Sequence, residues 1–178
     1  VRVNYRNHRK IVVIDGRVGY VGGFNIGEEY ISRNQKFGYW RDTHLKLWGP
    51  SVIGLQMRFA LDWNFAAKEN LFRQIRYFED MPSGREADKG IQIIASGPDS
   101  SSQEIRDNYL RLMHKAKHHI YIQTPYFIPD ESILSALTIA ARSGVDVRLM
   151  IPCKPDHPFV YWATYSYVWD LLEAGARC

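Results

Sequence analysis

Long apolar runs are missing from this chain. No stretch approaches the roughly 18 consecutive apolar residues that a membrane span needs; Ile133 to Ala141 comes nearest, and Ser135 and Thr138 interrupt it. Cysteine is scarce as well. Cys153 and Cys178 are the only two, too few for a disulfide framework and wrongly spaced for a metal site, so reduced thiols in a cytoplasmic setting are the expectation. Neither sign of charge dominates: 23 Lys and Arg against 19 Asp and Glu leave a net charge of +4 and a pI of about 9.1. Such an excess is compatible with anionic lipid headgroups or nucleic acid and by itself favours neither. The dense Lys/Arg stripe interleaved with aromatics that marks a nucleic-acid groove is absent, so no nucleic-acid partner is expected.

What is present is enough apolar content for a core, 46% of 178 residues, at a length that by itself suggests one domain. The most informative stretch is Asn7-His8-Arg9-Lys10-Ile11-Val12-Val13-Ile14-Asp15-Gly16, followed by Gly22-Gly23-Phe24-Asn25. Four apolar residues between polar ones and an Asp-Gly turn signal predict a strand buried on both faces. Strand side chains alternate, so His8 and Lys10 point the same way. A nucleophile or general acid beside a fixed positive charge suits attack at phosphorus. Asp15, an odd number of residues from His8, belongs to the other face and to the turn, where it braces a hairpin whose second arm is Arg17 to Val21. Gly22-Gly23 lets backbone N–H groups approach an anion, and Asn25 offers an amide donor.

His-x-Lys alone is weak evidence, and the chain carries its own control. His44-Leu45-Lys46 repeats the pair, but Ser51 stands where Asp is needed and no Gly-Gly-x-Asn follows. It reads as a strand, Thr43 to Leu47, with an exposed lysine. Gly49-Pro50 breaks that strand, and Val52 to Trp63 reads as a helix with Val52, Leu55, Phe59 and Asp62 setting its faces. Asp80 to Gly90 is a linker by composition. Beyond it, an apolar strand is predicted at Ile91 to Ala95. A helix capped by Ser101, Ser102 or Gln103 then reaches Lys117, with Ile105, Tyr109, Leu112, Met113 and Ala116 on one side. Strands at His119–Thr124 and Val145–Ile151 flank a helix at Ser132–Arg142, with Gly144 past its end and Asp130 as an ordinary cap. That order implies parallel pairing. A last helix, Phe159 to Ala174, is rich in aromatics, for which core packing is the plain reading. Asp99 and Asp156 read as turn or cap residues.

The His8–Asn25 motif, together with Gly27-Glu28-Glu29-Tyr30, Trp40-Arg41-Asp42-Thr43-His44 and Thr124-Pro125-Tyr126-Phe127-Ile128-Pro129-Asp130, resembles the phospholipase D superfamily. Within it the signature is similar to that of bacterial cardiolipin synthases, over nearly the whole chain. The resemblance implies an α/β phospholipase D-like fold, a mixed β-sheet flanked by helices. It also implies two such halves, each with one H-x-K-x4-D motif. Only one motif is present here, so an incomplete fold is expected: residues 1–79 ending a first half, 80–90 linking, and 91–178 opening a second half that stops short of its own motif.

The resemblance further implies phosphatidyl transfer between two phosphatidylglycerol molecules, giving cardiolipin and glycerol through a phosphohistidine, with neither metal nor cofactor. Catalytic His8, Lys10 and the supporting Asp15 would serve it, with Lys10, Asn25 and Gly23 on the substrate phosphate and Asp42 orienting His8. Histidine suits both nucleophile and proton donor because its ordinary pKa, about 6.5, lies near working pH. The implied partners are phosphatidylglycerol, an anionic phospholipid membrane, and either the missing second half or a second copy of the chain. The implied location of the parent is the cell membrane, cytoplasmic face, held by amino-terminal helices that this segment lacks. Competing readings are a superfamily phosphodiesterase or nuclease using water, and a segment inactive by itself.

Overall fold

A computed structural model describes residues 7–78, 89–97, 100–154 and 158–178. It is mixed α/β and divides into two compact units between Ala95 and Ser96.

The first unit is built on a three-stranded antiparallel sheet: β1 (Ile11–Ile14), β2 (Val18–Gly22) and β3 (His44–Trp48), in that order. Asp15 and Gly16 sit at φ 52° and 63°, and Arg17 N–H donates to Ile14 C=O at 3.0 Å. Two consecutive left-handed residues make the turn whose twist suits a hairpin, which is why Asp-Gly occurs here. The long helix α1 (Val52–Ala67) runs one turn further than the sequence predicts, to a left-handed Lys68. It packs on β1 and β2 through Val52 and Leu55, both essentially inaccessible. Gly19 permits the approach, since a Cβ there would come within 2.7 Å of Leu55.

The expectation that β1 is buried on both faces is corrected. Ile11 and Val13 are half-buried on the side of α1, whereas Val12 and Ile14 are 54% and 48% exposed. The physical reason is that α1 covers one face of the sheet, while the other is left open at Val12 and Ile14. Ile91 to Ala95 also forms no strand. A strand needs a ladder partner, and this segment is held by side-chain packing instead, with Ile93 against Gly54 of α1. Most of the stretch read as a linker lies outside the described residues, as do Asp99 and Asp156.

The second unit is organised by parallel pairing, as the helix-between-strands order requires. Helix α2 (Glu104–Lys115) leads to β4 (His119–Gln123); α3 (Glu131–Arg142) then connects it to β5 (Asp146–Met150), which pairs β4 in parallel. After α4 (Pro158–Glu173) the chain returns alongside β5, where Arg177 N–H donates to Val147 C=O and Arg177 C=O accepts from Leu149 N–H. Val147, Leu149, Leu137, Val168 and Leu171 form the core. Asp130 caps α3, its Oδ1 accepting from Ile133 N–H at 2.9 Å. The α2 stripe is split: Tyr109 and Leu112 are 55% and 65% exposed, whereas Met113 packs against the core, and Arg106 of α2 pairs with Asp130 at the start of α3. One expectation fails here, that of core packing for the α4 aromatics. Most of the α4 aromatics do not fill the core: Phe159, Trp162 and Trp169 are exposed and only Tyr167 packs against it, while Thr164, Val168 and Leu171 occupy the buried side.

Candidate active site

The first sheet sorts the residues around His8 by parity. Asn7 donates from Nδ2 to Asp62 Oδ2 at 3.0 Å, and Arg9 Nη1 reaches both oxygens of the same carboxylate at 3.3 Å. Asp62 belongs to α1, so the odd positions of this segment face the helix. His8 and Lys10 alternate to the opposite side, that of Val12 and Ile14. Burial works against the charged form of Asp62. Hydrogen bonds from Arg58 and Asn7, with the charges of Arg58 and Arg9, outweigh it and hold the carboxyl below its ordinary range. Asp62 therefore acts as the hub that fixes the backbone carrying His8. Asn7 adds a local hook, its Oδ1 accepting from Arg9 N–H at 2.9 Å.

His8 is exposed, and Lys10 is half-buried with its Nζ donating to the His8 carbonyl at 2.6 Å. A lysine resting on its own backbone can swing to an anion at little cost. Asp15 lies at the other end of β1, roughly 20 Å away at about 3.3 Å per residue, and belongs to the hairpin turn.

The register brings β3 into the same neighbourhood. Ile11 pairs with Val21, and Gly22 pairs with His44. Continuing the first ladder by one residue sets Lys10 opposite Gly22, so Lys10, Gly22 and His44 share one row, on the face away from α1. The Gly-Gly pair serves strand packing at this point. A Cβ on Gly22 would lie 2.5 Å from Thr43 C=O and 2.7 Å from His44 Nδ1, and one on Gly23 would lie 2.1 Å from Asp42 Oδ1. Gly23 N–H donates to Thr43 C=O at 3.1 Å, so the amide expected to meet a phosphate is already engaged.

Asp42 is not joined to His8. Its Oδ1 accepts from Thr43 N–H at 2.6 Å, because a carboxylate at the entry to a strand turns onto the next backbone amide. Asn25 Nδ2 donates to the Tyr30 hydroxyl. Tyr30 in turn packs on Trp40, with ring centroids 5.2 Å apart, and Trp40 on Phe37 at 5.6 Å. The Trp-Arg-Asp block thus holds the loop that carries Asn25. Of the residues expected at the site, His8 and Lys10 lie just ahead of β1 and are joined by the Lys10 Nζ bond to the His8 carbonyl; Asn25 is held by its loop, and Asp15, Gly23 and Asp42 serve the backbone.

His44 is the residue that sequence reasoning missed. Its Nδ1 is buried and has no hydrogen-bond partner, and its ring lies between Phe24 and Tyr20, at centroid distances of 5.5 and 6.5 Å. The available signal was its place in Trp-Arg-Asp-Thr-His together with a strand parity that returns it to the face of Lys10. Among the described residues no group of three or more His, Cys, Asp or Glu side chains could hold a metal ion, and no helix is long and apolar enough to cross a membrane.

Residues 109–178 match the family described as cardiolipin synthase, PLD-like domain. The chain is 56% identical over 177 residues to the major cardiolipin synthase ClsA of Bacillus subtilis, and 54% identical over 176 residues to a cardiolipin synthase of Oceanobacillus iheyensis. A cardiolipin synthase of Staphylococcus aureus is 54% identical over 178 residues. Each match covers 99% of this chain and 36% of the relative. Over almost its whole length the chain is similar to these cardiolipin synthases, and it spans about a third of the length of the curated relatives it matches.

Proposed function

We propose that this chain supplies one half of the catalytic centre of a phosphatidyltransferase that joins two phosphatidylglycerol molecules. The observation that carries the reading is an identity of 54% to 57% with proteins named cardiolipin synthase, over 99% of the chain and so through the His8–Asn25 stretch. The parity of His8 and Lys10 supports it. In this reading residues 1–79 and 91–178 belong to two phospholipase D-like halves, and a second H-x-K motif meets the first over the substrate.

His8 attacks the phosphorus of one phosphatidylglycerol. A P–N bond forms as the P–O bond to glycerol breaks, and the second motif's histidine gives its proton to the departing glycerol oxygen. The phosphatidyl group then rests on His8. A terminal hydroxyl of a second phosphatidylglycerol attacks, passes its proton to the second histidine, and cardiolipin leaves. Lys10 and Asn25 hold the nonbridging oxygens and offset the charge that grows in the transition state. Asp15 braces the hairpin that sets the direction of β1. The setting is an anionic membrane surface, on its cytoplasmic side.

The test uses a chimaera in which this chain replaces the matching segment of the B. subtilis relative, assayed on vesicles of labelled phosphatidylglycerol. Cardiolipin and glycerol should appear in equal amounts, and His8→Ala should abolish both. Cardiolipin formation that survives His8→Ala refutes the mechanism. Phosphatidic acid as the main product would favour hydrolysis by water instead.

A further inference from the structure

Three observations converge on His44. Its partner across the ladder is Gly22, and continuing the β1–β2 register sets Lys10 on the far side of that glycine, so two side chains bearing N–H groups flank a position with none. A Cβ on Gly22 would come within 2.7 Å of His44 Nδ1; the imidazole therefore leans across the glycine toward β1. Finally, Nδ1 is buried without a partner, and no hydrogen bond to either ring nitrogen forms among the described residues.

An unpaired buried nitrogen sets the tautomer. A buried N–H with no acceptor is rarer and costlier than a buried lone pair with no donor, and a neutral imidazole carries one of each. The proton belongs on Nε2, which makes that nitrogen a donor. Phe24 and Tyr20 hold the ring and offer its nitrogens no hydrogen bond, so the donor is oriented before any ligand arrives.

The spacing fits an anion. On the continued register the backbones of Lys10 and His44 lie two strand spacings apart, about 9–10 Å, with Lys10 Nζ free to swing from the His8 carbonyl to an anion between them. Two nonbridging phosphate oxygens, about 2.5 Å apart, with a hydrogen bond of about 2.8 Å at each end, span roughly 8 Å. We propose that His44 is a phosphate-binding residue that, with Lys10, clamps the nonbridging oxygens of the substrate phosphodiester across Gly22. This rests on the phosphatidyl-transfer reading above.

Two measurements test it. In the chimaera, His44→Phe keeps the aromatic packing and removes the donor; kcat/KM should fall by about 10–100-fold, the effect of losing one charge-assisted hydrogen bond. His44→Asn restores an N–H near the same place and should stay within about fivefold. Activity of His44→Phe within twofold of the parent overturns the assignment, as does an equal loss in both variants accompanied by a lower melting temperature. Loss of activity in His8→Ala with none in His44→Phe sinks this inference alone, whereas activity retained in His8→Ala sinks the reading it rests on.

The second measurement uses the 178-residue chain. The imidazole 15N spectrum should show His44 protonated at Nε2, and sn-glycerol 3-phosphate, but not glycerol, should shift that signal. An Nδ1-protonated ring, or equal response to both probes, contradicts the proposal.

Discussion

The two units reach order by different means. The second is held by a continuous apolar core, in which Leu137 and Leu171 are fully buried and Val147, Leu149 and Val168 nearly so. The first buries fully little beyond Val52, Leu55, Gln56 and Ala60, leaves one face of its sheet exposed, and ties the chain that carries His8 to α1 through the single carboxylate of Asp62. The difference follows from parity. Helix α1 covers only one face of the sheet, so β1 leaves Val12 and Ile14 exposed on the other, and a polar hub at Asp62 anchors the segment that precedes the strand. Order in the second unit is spread over many contacts. In the first, around His8, it is concentrated in a few.

Core truncation should separate the units most widely. Leu171→Ala in the second unit should cost about 2–5 kcal/mol in urea unfolding, while Val12→Ala in the first, half exposed, should cost under about 1 kcal/mol. Equal losses would erase the contrast. Asp62→Ala comes next: with the bonds to Asn7, Arg9 and Arg58 gone, about 1–3 kcal/mol of stability should be lost, and amide exchange should rise at Arg9 and Ile11 before it rises in β4 or β5.

The pH dependence has the same origin. Asp62 titrates lower folded than unfolded, so its contribution is present above its unfolded value and fades as pH falls through its folded one. Acid should therefore loosen the His8 segment, and Asp62→Asn should remove that dependence. The smallest effect lies in the second unit. Hydrogen bonds from Ser102, from its own backbone N–H and from Ser100 lower the Glu104 carboxyl to about 2. On an exposed helix end, an NMR titration should find it still charged near pH 3, and Ser102→Ala should raise its midpoint.

Much of this was legible in the sequence, for local reasons. Asp15-Gly16 encodes its turn through two left-handed residues, Asp130 announces the start of α3, and apolar segments alternating with amphipathic ones impose parallel pairing on β4 and β5. Alternation predicts His8 and Lys10 on one face of a strand that in the structure begins at Ile11. What failed was non-local. Ile11–Ile14 reads as doubly buried because composition reports apolar character and cannot report which neighbour covers it. The glycines read as an anion cradle because the sequence does not say that Thr43 C=O and Asp42 lie against them. His44 passed for an ordinary strand residue, since its relation to Lys10 exists only once two strand registers are known.

The central claim, that the His8 and Lys10 face is half of an active site, is tested most directly by comparing this chain alone with the chimaera on the same phosphatidylglycerol vesicles. Turnover to cardiolipin in the chimaera, and none from the chain below the concentration at which it dimerises, is the expected result. Turnover by the monomeric chain would contradict it.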